Sequence, residues 1–397
     1  VGDNFYWGGV LVKCGGPPSG VVDPSGQWTW VFEKVYNGSG LKDKQWLGVL
    51  GNHDYGGWKF TGGWDQAIGY TWGGPGSTNR WVTPAQYWKA KVHYPDFSVD
   101  YYFVDSNRFD AHDPNDSSGH NMCSFIHNTD KPTCGPQGPV SAEDCPDWFE
   151  KLWTEQVSWL EEQLPKSTAD WQVVVTHFPP AWGSTDWLRL SRKHGIDLFI
   201  TGHKHTQEVH YRGMERKLFW PGLYDDFLGD TAWIVSGGGG GVTSEKVPDA
   251  GGNDDQYGFM DVTIWATSIK IESISHGGHV RSTTYIHQRL PATTTSTSST
   301  TETVTTSTTT STRTTSSTTT TSATATVTAT NTTTTTSATT TSSTSTTTQL
   351  PWRAKDFENV LIHSSPSWSS QQFVDLEHEL LEEDLMEHMR RNSEYII

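Results

Sequence analysis

Short runs of apolar, β-branched and aromatic residues punctuate the first three quarters of the chain, and several end abruptly in Gly, His, Asn or Asp. Residues 46–50, 101–104, 172–176, 197–201, 233–235 and 260–265 carry this pattern and predict strands. Residues 153–164 repeat apolar side chains at helical spacing and stop at Pro165, which predicts an amphipathic helix. Strands alternating with helical or polar stretches predict an α/β layout as far as about residue 290. In open sheets of that kind ligands gather where strands end, so the residues at those ends are the place to look for chemistry.

The alternation fails at 293–348, which is almost wholly Thr and Ser with scattered Ala and Val. Such a composition cannot bury enough apolar surface to offset chain entropy, so a disordered segment is expected, with a hydroxyl density suited to O-glycosylation. Beyond it, Ser369 and Gln372 suit a helix start, and Phe373, Leu376, Leu380 and Met389 recur near helical spacing among acidic residues. Three segments result: a domain over 1–290, a Thr/Ser-rich linker over 291–350, and an acidic tail over 351–397 with a short amphipathic helix. Nothing in the tail identifies its partner.

Charge narrows the function. With 28 Lys and Arg against 45 Asp and Glu the formal net charge is −17, which opposes nucleic acid as a main partner. No stretch approaches the roughly 18 to 20 consecutive apolar residues of a spanning helix. The chain opens at Val1 with neither an initiator Met nor a leader, and is read as a fragment or processed product whose start lies upstream. The 20 tryptophans are expected to be packing residues rather than a cleft lining. Cys123, Cys134 and Cys145 cluster in a Pro/Gly-rich region while Cys14 stands apart, and no Cys-x-x-Cys pair suggests zinc; a disulfide within the loop is expected, its partners open. Sequons at Asn37, Asn115 and Asn331 add to a secreted or surface-exposed reading, with any signal peptide lost upstream.

Four corners hold residues suited to metals. They are Gly2-Asp3-Asn4-Phe5-Tyr6, then Gly51-Asn52-His53-Asp54, then Thr176-His177-Phe178-Pro179-Pro180, and finally Gly202-His203-Lys204-His205. Each offers hard oxygen or imidazole donors beside Gly or Pro, and a His-x-His pair can turn both rings toward neighbouring ions. Asp, Asn and imidazole donors without a thiolate suit Fe, Mn or Zn, and a carboxylate shared by adjacent ions is the usual device of two-metal hydrolysis.

In this order the motifs resemble the calcineurin-type metallophosphoesterases, and within them the purple (tartrate-resistant) acid phosphatase branch, over residues 1–290. Gly-Asp-Asn-Phe-Tyr is the discriminating motif, through its Tyr. The resemblance implies a four-layer αββα sandwich, an α/β (α+β) fold holding a dinuclear centre of Fe(III) and a divalent Fe, Zn or Mn ion. Asp3 would bridge the ions, Tyr6 and His205 would bind the ferric ion, and Asn52, His177 and His203 the divalent one. His53 would contact substrate phosphate and protonate the leaving group, and Asp54 would support the ligands from behind. The family's Asp-x-Gly motif has no counterpart before Val1, which implies a truncated ferric site; Thr176 replaces a common Gly, and Thr206-Gln207 a common Asn-Leu-Gln type sequence. The implied activity is acid phosphatase action on a small phosphorylated substrate. The alternatives are a phosphodiesterase or pyrophosphatase on the same centre, and an inactive surface binding module displayed on the Thr-rich stalk.

Overall fold

The computed structural model describes residues 1–16, 21–74, 76–117, 119–211, 227–239 and 257–288, and the backbone of Lys355–Phe357. The expected Thr/Ser-rich linker, most of the acidic tail with its helix, and the sequon at Asn331 lie outside these residues. No described helix is long and apolar enough to cross a membrane.

A small parallel pair comes first, β1 (Trp46–Leu47) with β2 (Trp81–Val82). β3 (Trp88–His93), β4 (Ser98–Val104), β5 (Trp171–Thr176), β6 (Leu198–Thr201), β7 (Gln207–His210) and β8 (Ala232–Ser236) follow in the main sheet. A second sheet is formed by β9 (Gly258–Ile264), β10 (Ser268–Ser275) and β11 (Val280–His287). β12 (Lys355–Phe357), from the segment expected to be a separate tail, runs parallel to β3 at the main sheet's edge. The main sheet has the order β12-β3-β4-β5-β6-β8-β7, with β4, β5, β6 and β8 parallel at its centre.

The central strands are buried on both faces, which is why β5 reads as an unbroken Val173-Val174-Val175 run instead of alternating. One face, with Val99, Phe103, Val173, Val175 and Leu198, packs against Ile269, Ile271 and Ile286 of the second sheet. The other, with Tyr102, Val104, Val174 and Phe199, meets Trp153, Leu160 and Leu164 of the α3 region and Trp187 and Leu190 of α4. Helix, sheet and sheet of the expected sandwich are therefore present, and the mixed α/β class stands.

Among the described residues four α-helices accompany the sheets: α1 (Asn52–Tyr55), α2 (Trp64–Tyr70), α3 (Cys145–Gln163) and α4 (Ser184–His194). α3 begins eight residues before the expected start, because Pro146 sits in its first turn and Phe149 already belongs to the buried stripe. α4 ends where Gly195 turns left-handed, at φ 81°. Beside the sandwich lies an aromatic core of Phe5, Trp28, Phe32, Tyr70 and Trp81, with Trp28 stacked on Tyr70 at 3.8 Å. Both disulfides are rooted in this core. Cys123 bonds Cys145 within the loop, and the distant Cys14 bonds Cys134.

Candidate metal centre

The parallel register sets the site. Val104 of β4 pairs with Thr176 of β5, and Val175 of β5 with Ile200 of β6, so the residues that follow these strands leave the sheet at the same end. His177 and the Gly202–205 turn therefore emerge side by side, joined by the Gly202 N–H donating to the His177 carbonyl at 2.9 Å. The first two corners are brought there by contact. A Cβ on Gly51 would run into Asp3, and one on Gly2, which has φ 85°, would meet the His177 ring and the Gly51 backbone. Glycine at both positions is a steric requirement.

Asp54 ties these two corners together. Its carboxylate accepts from the Asn4 N–H at 3.0 Å, the Asn4 Nδ2 at 2.8 Å and the Gly51 N–H at 2.8 Å. The carboxyl is fully buried, and burial together with the nearby Asp3 charge raises its pKa to about 7. Asp54 thus sits behind the donors and fastens one corner to the other.

All six expected ligands converge. Asp3 Oδ2 accepts from the Tyr6 hydroxyl at 3.0 Å, and that hydroxyl lies 3.1 Å from His205 Nε2. On the other side, His177 Nε2 stands 3.3 Å from Asp3 Oδ2, 2.9 Å from Asn52 Oδ1 and 3.3 Å from His203 Nδ1. The donors form two groups that share Asp3. Two of them, Asp3 and His203, hold left-handed backbone angles, φ 53° and 62°.

Their electrostatics follow from crowding. Burial opposes ionisation of Asp3, yet the His177 and His53 imidazoles outweigh it and hold the carboxyl well below its usual range. Burial also opposes a charged His177, and Asp3 with the Val1 carbonyl reverses that and raises its pKa. His203 is pushed down to about 3, by burial and then by His177, and His205 is lowered mainly by burial. Burial and the Asp3 charge keep Tyr6 a phenol, its pKa raised.

These donors fit metal ions. Bonds of about 2.0 to 2.2 Å place neighbouring donors of one ion roughly 2.8 to 3.5 Å apart, and the contacts just given run from 2.9 to 3.3 Å. His177 Nδ1–H donates to the Val1 carbonyl at 2.8 Å, so Nε2 is the nitrogen left to bind an ion, and it faces oxygen or nitrogen atoms of Asp3, Asn52 and His203 at once. A proton on Nε2 satisfies one of these partners, whereas a cation among them satisfies all. Counting His, Cys, Asp and Glu alone, no group of three among the described residues forms a metal cage. The donor set depends on Tyr6 and Asn52, and its members hydrogen-bond to one another.

Around the donors lie residues that the motifs did not reveal. Asn52 Nδ2 donates to buried Asp110 at 3.0 Å, which orients Oδ1 toward His177. Asp110 ends a 3-10 turn (Asn107–Asp110) just past β4, a strand-end carboxylate of the same kind as those singled out in the sequence. Asp110 also pairs with His120 Nδ1, a contact from a long loop with no sequence signal. His53, with its N–H donated to Asp3 Oδ1, lies under Tyr6 at 4.4 Å between ring centres, and Nδ1 is bonded to the Trp7 carbonyl. Exposed Trp182 stands 5.5 Å from the His203 ring and forms part of the rim.

The calcineurin-like phosphoesterase family model matches residues 1–207, more than half of the chain, and the chain belongs to that family. Its members are phosphoester hydrolases with a dinuclear metal centre, and every donor described above lies within the matched span. Among solved structures, GAP50, the anchor in the inner membrane complex of Plasmodium, is 20% identical, with 71% of this chain and 78% of that chain covered and a TM-score of 0.44. The purple acid phosphatase PPD1 from yellow lupin (Lupinus luteus) seeds is 16% identical, covering 63% of this chain and 40% of that one, with a TM-score of 0.34. PhoD is 13% identical, with 56% and 45% covered and a TM-score of 0.29. No curated protein matches the chain.

Proposed function

We propose that this protein is an acid phosphatase of the purple type, acting on small phosphate monoesters. The observation that carries the reading is the division of the donors about Asp3. One group contains the only phenol, with His205; the other contains neutral Asn52, His177 and His203. A phenolate and a carboxylate suit a trivalent iron, and a neutral amide with two imidazoles suits a divalent ion. When bound, the two ions supply an activated water and neutralise charge on the phosphoryl oxygens.

The chain's own residues do the rest. Asp110 turns the Asn52 carbonyl inward, the Val1 carbonyl fixes the His177 ring, and Asp54 locks the two corners that carry Asp3 and Asn52. His53 Nδ1–H is held by the Trp7 carbonyl, which leaves Nε2 to give a proton to the leaving-group oxygen as its bond to phosphorus breaks. Two buried disulfides support a secreted or lumenal location, where such bonds persist.

The test is a visible spectrum with metal analysis of the purified protein, wild type and Tyr6→Phe, alongside hydrolysis of p-nitrophenyl phosphate and its bis-ester. A phenolate on Fe(III) gives a charge-transfer band, which Tyr6→Phe should abolish while the fold is kept. Bound iron without a Tyr6-dependent band would remove the purple assignment. Faster turnover of the bis-ester would favour a phosphodiesterase, and bound metal with no hydrolysis of either would favour a binding module.

A further inference from the structure

Trp28, Trp64, Trp88, Trp171 and Trp187 are fully buried, as packing residues should be. Trp7 and Trp58 break that rule. They are 59% and 45% exposed, and both come up against His53, the residue placed at the leaving group. The Trp7 indole lies 5.7 Å from the His53 ring, centre to centre. Trp58 follows α1 on a double-glycine turn, Gly56 and Gly57, with φ 130° and 68°. A Cβ on Gly57 would meet the Trp7 carbonyl oxygen at 2.9 Å and His53 Nδ1 at 3.2 Å. Glycine at 57 therefore lets the segment carrying Trp58 close against His53 and the Trp7 backbone.

Both indoles are supported from behind. Trp7 is tied through its carbonyl to His53 Nδ1, and its ring meets Tyr6 edge-on at 5.4 Å. Trp58 rests on His120 at 4.1 Å and on His127 at 5.1 Å, two rings of the loop that the Cys123–Cys145 disulfide anchors to the start of α3. One exposed tryptophan is ordinary, whereas two that meet at a single proton donor mark a contact surface. Aromatic rings attract one another at centre separations of about 4.5 to 7 Å beyond the gain from burying their area. Side chains already held in place also lose little freedom when a ligand arrives. Trp182 is not of this pair, since it stands by His203 in the other donor group.

We infer that Trp7 and Trp58 form a leaving-group subsite that takes the aromatic ring of an aryl phosphate, a phosphorylated phenol, and so set the substrate preference of the candidate centre. The inference rests on the phosphoesterase reading of that centre, with His53 at the leaving group. An alkyl leaving group such as glycerol reaches the same proton on His53 but has no ring to set against the indoles. The preference is therefore one of binding, separate from the chemical step.

The test uses the full metal-loaded chain as wild type, Trp7→Ala, Trp58→Ala and Trp58→Phe, with two non-hydrolysable probes. Benzylphosphonate has a methylene in place of the ester oxygen of phenyl phosphate, and methylphosphonate lacks the ring. Calorimetry gives both affinities, and their ratio cancels any general disturbance of the centre, with metal content measured on the same samples. Loss of one indole face corresponds to about a five- to tenfold fall in the ratio for either alanine variant, and Trp58→Phe should keep part of it. The KM of phenyl phosphate should rise by the same factor relative to that of glycerol phosphate. A wild type that binds the two probes within about twofold of each other would overturn the inference, as would a preference that survives in both alanine variants. Dependence on these tryptophans for a nucleoside monophosphate, without any for benzylphosphonate, would overturn it too, because the ring would then lie further from the ester. A metal-loaded wild type that binds neither probe would instead overturn the underlying reading of the centre, and this inference with it.

Discussion

Replacing Asp54 by Ala removes the fastening between the two corners that carry Asp3 and Asn52. Three donors lose their acceptor: the Asn4 N–H, the Asn4 Nδ2 and the Gly51 N–H. Gly51 is buried and its N–H cannot regain water, whereas Asn4 is only half-buried and recovers part of its solvation. At about 1 to 3 kcal/mol for a fully buried donor and less for the others, the loss sums to about 3 to 5 kcal/mol. Relief from burying the carboxyl, whose pKa is raised to about 7, works the other way and places the result near the lower end. Asp54→Asn keeps one acceptor oxygen and should lose about half as much. Urea unfolding followed by tryptophan fluorescence measures the stability, and mass spectrometry the bound metal, which should fall with Asp54→Ala as the corners part. An Asp54→Ala protein within about 0.5 kcal/mol of wild type, with full metal content, would refute the idea that this carboxylate holds the site together.

Two further outcomes are expected. The Cys14–Cys134 bridge spans 120 residues and Cys123–Cys145 spans 22; loop entropy assigns them about 5 and about 3 kcal/mol taken singly. The Cys14→Ser/Cys134→Ser pair should therefore lower the urea midpoint more than Cys123→Ser/Cys145→Ser, and the reverse order would count against the entropic account. Burial raises the Asp105 pKa to about 6, against the hydrogen bonds from Tyr55 and Asn107, so the folded state holds that proton more tightly than the unfolded chain does. Its contribution is present below the unfolded pKa of about 3.9 and is lost as pH rises through about 6, a change of about 2 kcal/mol between pH 4.5 and 7.5. Unfolding of Asp105→Asn should lack this component, and equal pH slopes for the two proteins would contradict it.

The four donor corners were legible because each is local: a run of apolar residues or a glycine, then the ligand types. Extents were less so. Residues 46–50 read as one strand, but only Trp46–Leu47 pair in the ladder, since Val49 and Leu50 turn into the core toward α1. α4 escaped the pattern because it buries only Trp187, Leu190 and Ser191, too narrow a stripe to stand out among charged neighbours. β11, Val-Arg-Ser-Thr-Thr-Tyr-Ile-His, exposes most of its side chains and carries little alternation. Asp110 and His120 were invisible for a different reason. Their meaning lies in contacts to Asn52 and to each other, set by a disulfide-held loop and not by any repeat along the chain.

The left-handed backbone at Asp3 and His203 sets a trade-off on how this protein can change. A side chain in that conformation costs about 1 kcal/mol that glycine would recover; at Asp3 the bonds from the His53 N–H and the Tyr6 hydroxyl offset it, whereas His203 has only a 3.3 Å contact with His177 to set against the strain. Variants selected only for thermal resistance are drawn toward Gly at position 203, away from the proposed hydrolysis, and those selected for turnover keep the strain there. Stabilising this protein while keeping its chemistry therefore means working away from the corners, in the aromatic core and at the sheet edges, where tighter packing leaves the donors in place.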